Sequence, residues 1–370
     1  MKVSRKRRGF TAMPVLVLAL ALTAGLVVVG CGSGQDSSGE LGGSDTGLQS
    51  AKLIGAGASF PYPVYVEWIG GFMQAYPQIT VDYTAIGSGA GIQQFTDQST
   101  DFGGTDAFMD EEEIADAEAA NALGANVIQI PTVFGAVVLA YNVPGVDSLK
   151  LDSDAIADIF LGNITNWNDP ALAALNPDIQ LPDDNVEVVH RSDSSGTTNA
   201  FTGYLASVST EWADKVGSGK EVQWPTGVGG PKNDGVAATI DQTENSIGYV
   251  ELAYAVLNGM STADVKNSSG NFITPSLEST SAAAAVDVIP DDLNLEVANS
   301  PVADAYPIVT ATYMMAYDRM DDFDKAAALK AFLIWALSDE GSQIAEDLGY
   351  ASLPDSVRDA ALEKIELIGS

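Results

Sequence analysis

The sequence predicts an α/β fold, and three observations carry that prediction. Short apolar or alternating runs of strand length recur along the chain. Between them, apolar residues return at helical spacing. Three times, a strand run passes through a loop of small and hydroxyl residues straight into a helix start.

The N-terminus precedes all of this. Lys2, Arg5, Lys6, Arg7 and Arg8 form a basic head, and an apolar run extends from Ala12 to Gly30. A basic region, an apolar stretch and small residues before a cleavage point make a secretory signal, here residues 1–30. Val28-Val29-Gly30-Cys31 resembles the lipobox of bacterial lipoproteins, in which the cysteine is acylated and becomes the first mature residue. Cys31 is the only cysteine, so no internal disulfide forms. The competing reading is an uncleaved anchor, because the run approaches membrane-spanning length. Arg7-Arg8-Gly9-Phe10 also fits a twin-arginine export signal. Residues 31–50 are Gly, Ser, Asp and Gln with almost nothing apolar, and read as a flexible linker.

The remainder is long enough for two domains. The full chain is lopsided in charge, with 50 Asp and Glu against 17 Lys and Arg and a formal net charge of -33, and five of its basic residues lie in the leader. Nucleic-acid binding needs a basic footprint and is excluded. A free anion would be repelled at long range, although salt screens that repulsion beyond about 10 Å. Any anion site in this chain has to work by dense local hydrogen-bond donation.

Val64, Trp68, Ile69, Phe72, Met73 and Tyr76 recur at helical spacing, and Ile79 to Tyr83 alternates as a strand. A helix is expected from Ile92, and Asp110 to Glu113 read as the acidic first turn of another. Gly135 to Val143 and Val186 to His190 are buried-strand runs. Ile156, Ile159 and Phe160 mark a short helix ended by Gly162. Asp324 to Leu348 reads as two helices around Ser338-Asp339-Glu340-Gly341. The five tryptophans, Trp68, Trp167, Trp212, Trp224 and Trp335, are expected in packing roles.

The three loops are Gly55 to Pro61, Gly87 to Gly91, and Arg191 to Thr198. The first turn of a helix leaves its N–H groups unpaired and carries partial positive charge. Glycine lets backbone approach a ligand, and Ser or Thr adds a hydroxyl donor, so such a terminus suits an anion. One such loop usually only caps its helix. Three, one of them with an arginine, point to a shared anion site.

Further stretches have the order and wording of one family. They include Asp101-Phe102-Gly103-Gly104-Thr105-Asp106, Asn166-Trp167-Asn168-Asp169, Gly227 to Gly235, Ile247-Gly248-Tyr249-Val250-Glu251, and Tyr350 to Val357. With the three loops, they resemble the PstS-type phosphate-binding proteins of the periplasmic binding protein class, from about Lys52 to Val357. The resemblance implies a type II fold. It has two α/β lobes joined by a hinge of two crossing segments, with ligand closed in the cleft between them. Residues 51–134 plus 309–370 would form lobe I, and 135–308 lobe II. It implies phosphate capture outside the cytoplasm, delivery to the permease of an ABC importer, a monomer tethered to the membrane through Cys31, and no cofactor, metal or catalysis.

By motif position, the resemblance implies that Ala58 and Phe60 donate N–H groups, and Ser59 both N–H and hydroxyl. Ser88 binds from the second loop, where Gly89 replaces a second Ser common in relatives. Ser195, Gly196 and Thr197 donate from the third. Arg191 makes charged contact with phosphate oxygens, with Asp193 fixing its orientation. Asp106 faces the anion, which makes sense if the ligand carries a proton. An ionised carboxylate accepts from P–O–H but repels sulfate, which has none. Arsenate, also protonated, passes the same test.

The competing function is a phosphate-ester hydrolase on the same loops. It would need His190, the only histidine, as base. His190 and Arg191 are strand neighbours and face opposite sides, so they do not share a site. With one His and one Cys, a zinc site is nearly excluded. Asn163-Ile164-Thr165 and Asn267-Ser268-Ser269 match glycosylation sequons and read as chance matches.

Overall fold

The computed structural model describes residues 47–285 and 288–369. The leader, Cys31 and the linker as far as residue 46 lie outside the described residues.

The chain opens with β1 (Ala51–Gly57), α1 (Tyr62–Ala75), β2 (Ile79–Ala85), α2 (Ser88–Thr96), β3 (Phe102–Thr105) and α3 (Glu111–Ala120). It continues through β4 (Val127–Asn142), β5 (Lys150–Leu151), α4 (Ser153–Leu161), α5 (Pro170–Leu175), β6 (Glu187–Arg191), α6 (Gly196–Val208) and α7 (Thr210–Lys215). Next come β7 (Val228–Gly230), α8 (Lys232–Gln242), β8 (Ser246–Glu251), α9 (Leu252–Leu257), β9 (Ser261–Thr262), β10 (Asp264–Lys266), β11 (Phe272–Ile273) and α10 (Leu277–Ala283). It ends with β12 (Val309–Tyr317), α11 (Phe323–Ala336), α12 (Asp339–Asp347) and α13 (Asp355–Ile365).

The main sheet has the order β2-β1-β3-β12-β4-β8-β6-β7, with β9 beside β4. β1 lies parallel to β2 and β3, and β6 parallel to β7 and β8. β12 and β4 run antiparallel to their neighbours. β4 divides its pairing. Val127 to Ala136 pair with β12, and Val137 to Asn142 with β8. At the change of partner, Val137 N–H donates to Ile308 O at 2.8 Å, just before β12 begins.

β4 begins eight residues before the Gly135 start expected from sequence. Pro131 and two polar neighbours, Gln129 and Thr132, interrupt the apolar run, but the ladder tolerates them. A register shift at Thr312/Tyr313 leaves Thr132 as the extra residue of a bulge, the kind of site where proline is allowed in a sheet. α2 likewise begins four residues early, at Ser88 rather than Ile92. Its Gly89-Ala90-Gly91 start reads as loop by composition but is helical because it packs closely: a Cβ at Gly91 would lie 2.4 Å from Gly57 Cα. The acidic turn at 110–113 is α3, with Asp110 as N-cap and Glu113 completing a capping box.

Trp68, Trp167 and Trp212 are fully buried, and Trp68 Nε1 donates to Gly341 O at 2.8 Å, tying α1 to α12. Asn267 of the second sequon is buried and spends its amide on the carbonyls of Ala303 and Ala305.

Candidate anion-binding site

α1, α2 and α6 follow β1, β2 and β6 through short loops, and their N-terminal ends converge. Among the described residues, the N–H groups of Ser59, Phe60, Ser88 and Thr197 have no acceptor, as expected of helix starts. Ser195 caps α6 by accepting from Thr198 N–H at 3.1 Å.

The side chains meet around Asp106, which follows β3 and is 3% exposed. Ser88 Oγ accepts from Asp106 N–H at 3.3 Å and from Gly196 N–H at 3.0 Å, joining the second and third loops. Thr197 Oγ1 lies 3.4 Å from Asp106 Oδ2, and Thr312 Oγ1 donates to Asp106 Oδ1 at 3.2 Å. Arg191, also 3% exposed, grips Asp193 through Nε and Nη2, while Nη1 donates to Thr197 Oγ1 at 3.2 Å. Ser59 is tied in through Asn233, whose Nδ2 reaches both Ser59 Oγ at 3.1 Å and Thr197 Oγ1 at 3.2 Å. The approach is close enough to demand glycine at 196. A Cβ there would sit 2.6 Å from Asp106 Cβ and 2.7 Å from Ser88 Oγ.

Ala58 departs from expectation. Its N–H donates to Gly104 O at 2.8 Å, extending the β1–β3 ladder, so it does not turn toward the other donors. The N–H of Ser195 goes to Lys220 O at 2.9 Å, and that of Gly196 to Ser88, so among the Ser195 donors only the hydroxyl proton remains. Gly89 is required by its surroundings, since a Cβ would lie 2.1 Å from Ser194 Oγ. A serine at this position would have no room opposite Ser194.

Burial pushes the Asp106 carboxyl up to about 7, although Arg191 and the hydroxyls of Thr312, Thr197 and Ser88 pull it down. Burial also acts on Asp193, but the hydrogen bond and charge of Arg191 outweigh it and hold Asp193 below the usual carboxylate range. His190 faces away and stacks on Trp224 at 4.7 Å, and burial lowers its pKa.

A PBP superfamily domain model matches residues 42–340. The chain is 40% identical over 316 residues to the phosphate-binding protein PstS of Pasteurella multocida (strain Pm70), covering 84% of this chain and 88% of that protein. It is 38% identical over 361 residues to the PstS protein of Xylella fastidiosa (strain 9a5c), covering 94% and 95%. This chain belongs to the PstS phosphate-binding protein family. The crystal structure of a phosphate-binding protein from Stenotrophomonas maltophilia superposes with a TM-score of 0.68 at 20% identity, covering 85% of this chain and 93% of that one. The fold is accordingly the two-lobed type II form of periplasmic phosphate-binding proteins.

In this PstS-family chain, sequence reasoning missed several polar residues around the site. Asn233 lies in the Gly227 to Gly235 stretch that carried the resemblance, but its own chemistry gave no hint of a role. Glu251, fully buried, receives Tyr350 OH at 2.8 Å and caps α9 by accepting from Ala253 N–H at 2.8 Å. Burial pushes its carboxyl up to about 8, with Asp106 adding to the rise. Tyr254 OH donates to Ser59 O at 2.6 Å, and Tyr249 OH receives Arg191 N–H at 3.1 Å. Tyrosines spaced like core residues carry no sequence signal for such a duty.

Proposed function

We propose that this protein captures inorganic phosphate outside the cytoplasmic membrane and delivers it to the permease of an ABC importer. The observation that carries the reading is the convergence on Asp106. Two helix starts, the hydroxyls of Ser88, Thr197 and Thr312 and the charge of a buried arginine act on a single carboxylate, and Asn233 ties the start of α1 to them. Neutral donors and one guanidinium satisfy the anion's oxygens, and the carboxylate accepts from its P–O–H.

The ligand contacts would come from Ser59, Phe60, Ser88, Asp106, Arg191, Ser195 and Thr197, with Asp193 holding Arg191 in place. Lobe I would comprise 51–134 and 309–370, and lobe II 135–308. The partner change in β4 at Ala136/Val137, bonded to Ile308, supports a hinge there. The leader 1–30 would direct export, and Cys31 would carry the lipid that holds a monomer at the membrane. Binding and release need no chemistry. His190, the only imidazole, stacks on Trp224 and is no base for hydrolysis.

Calorimetry of the mature domain with phosphate, sulfate and arsenate tests the reading. Phosphate and arsenate should bind, and sulfate should not. Saturable sulfate binding without phosphate binding would overturn it, and steady turnover of a chromogenic phosphate ester would favour the hydrolase.

A further inference from the structure

A serine or threonine hydroxyl has one proton to give and two lone pairs to receive with. In this site the lone pairs are already used. Ser59 Oγ accepts from Asn233 N–H at 3.2 Å and from Asn233 Nδ2 at 3.1 Å. Ser88 Oγ accepts from Asp106 N–H at 3.3 Å and Gly196 N–H at 3.0 Å. Thr197 Oγ1 accepts from Arg191 Nη1 and from Asn233 Nδ2, each at 3.2 Å. A hydroxyl filled in this way can only donate.

Asn233 supplies the filling for Ser59 and half of it for Thr197. Its own orientation is fixed. It is fully buried, and its Oδ1 accepts from Glu251 N–H at 3.0 Å, so the amide cannot turn its oxygen toward the hydroxyls. The residue before it, Lys232, is held at φ 61, a left-handed conformation unusual for lysine, with its N–H on Asp193 Oδ1 at 2.9 Å. The surroundings impose this backbone, and it delivers the Asn233 N–H to Ser59.

Resting on the phosphate reading, we infer that Asn233 is a positioning residue that compels the Ser59 hydroxyl to donate to the anion and directs the Thr197 proton onto Asp106 Oδ2, 3.4 Å away. Ser59 then offers an anion a proton and no lone pair. Asn233 touches Glu251 through the Glu251 backbone N–H, reaches Arg191 and Asp106 only through Thr197, has Lys232 and Asp234 as chain neighbours, and adds no charge to them.

The test is a double-mutant cycle read by phosphate calorimetry on the mature domain, with melting temperature measured in parallel. Asn233→Leu removes the side-chain donors while keeping the backbone N–H on Ser59, and Asn233→Asp keeps the shape but accepts where the Asn233 amide donates. In the natural background each should weaken phosphate binding by about tenfold or more, with Asn233→Asp the worse. In a Ser59→Ala background, and separately in Thr197→Val, the same substitutions should cost at least about threefold less, because one hydroxyl they misdirect is gone. Equal losses in all backgrounds would mean a purely structural or charge effect and would overturn the inference, as would unchanged affinity in either variant. If the natural protein fails to bind phosphate, the proposed function falls instead. Should one variant not fold, the other still decides the cycle.

Discussion

Arg191 holds Asp193 in a two-pronged grip, Nε to Oδ1 at 2.8 Å and Nη2 to Oδ2 at 2.6 Å, which leaves Nη1 turned to Thr197. The carboxylate is anchored in turn by Lys232 N–H. Lysine has one point charge and cannot grip Asp193 while also reaching an anion. Arg191→Lys should weaken phosphate binding by roughly 10–100-fold, and Asp193→Asn by several-fold, both measured by calorimetry.

Asp106 is the acceptor among donors. Asp106→Asn removes the charge that repels a fully ionised oxyanion and adds an N–H that can donate to it. The ratio of phosphate to sulfate affinity should fall by about tenfold or more, chiefly through a gain in sulfate binding. An unchanged ratio in parallel titrations would remove Asp106 from specificity.

Gly196 sits where the second and third loops touch. Alanine is tolerated at a helix start, but its Cβ would press on Asp106 and Ser88. Gly196→Ala should lower phosphate affinity by roughly 10–100-fold while leaving the melting temperature of the ligand-free protein within a few degrees.

Glu251 makes stability depend on pH. Its folded pKa, about 8, lies above the ordinary 4.5 because of burial. A raised pKa means that the folded state holds the proton more tightly. Its contribution is therefore complete at acid pH and fades as pH climbs through about 8. Glu251→Gln should flatten the fall in ligand-free stability between about pH 6 and about pH 8, by on the order of 2 kcal/mol in denaturant titrations. Comparison with the natural protein cancels the general repulsion of the acidic surface.

The fold class and the three donor loops were legible because each rests on local pattern: period-two strands, helical spacing, small residues before a helix. Ser59, Ser88, Arg191 and Thr197 stand on those loops. Asp106 emerged only through the family resemblance, since a carboxylate beside an anion contradicts simple charge reasoning. The parts that stayed hidden depend on partners distant in sequence. Thr312 reaches Asp106 from more than 200 positions away, and Tyr350 reaches Glu251 across 99. Composition also misled at Pro131 and at Gly89-Ala90-Gly91, where a bulge and tight packing overrule what proline and glycine usually signal.

β12 lies between β3 and β4, yet it comes from residues 309–317, after the whole of the other half has been made. Until that segment leaves the ribosome, β3 and the first ten residues of β4 have no strand between them, and their backbone groups stay unpaired. Synthesis therefore delivers an unfinished first half for most of its course, and folding waits on pairing between remote parts of the chain, which is slow. Truncation before residue 309 would leave β3 and β4 as bare edges prone to aggregation.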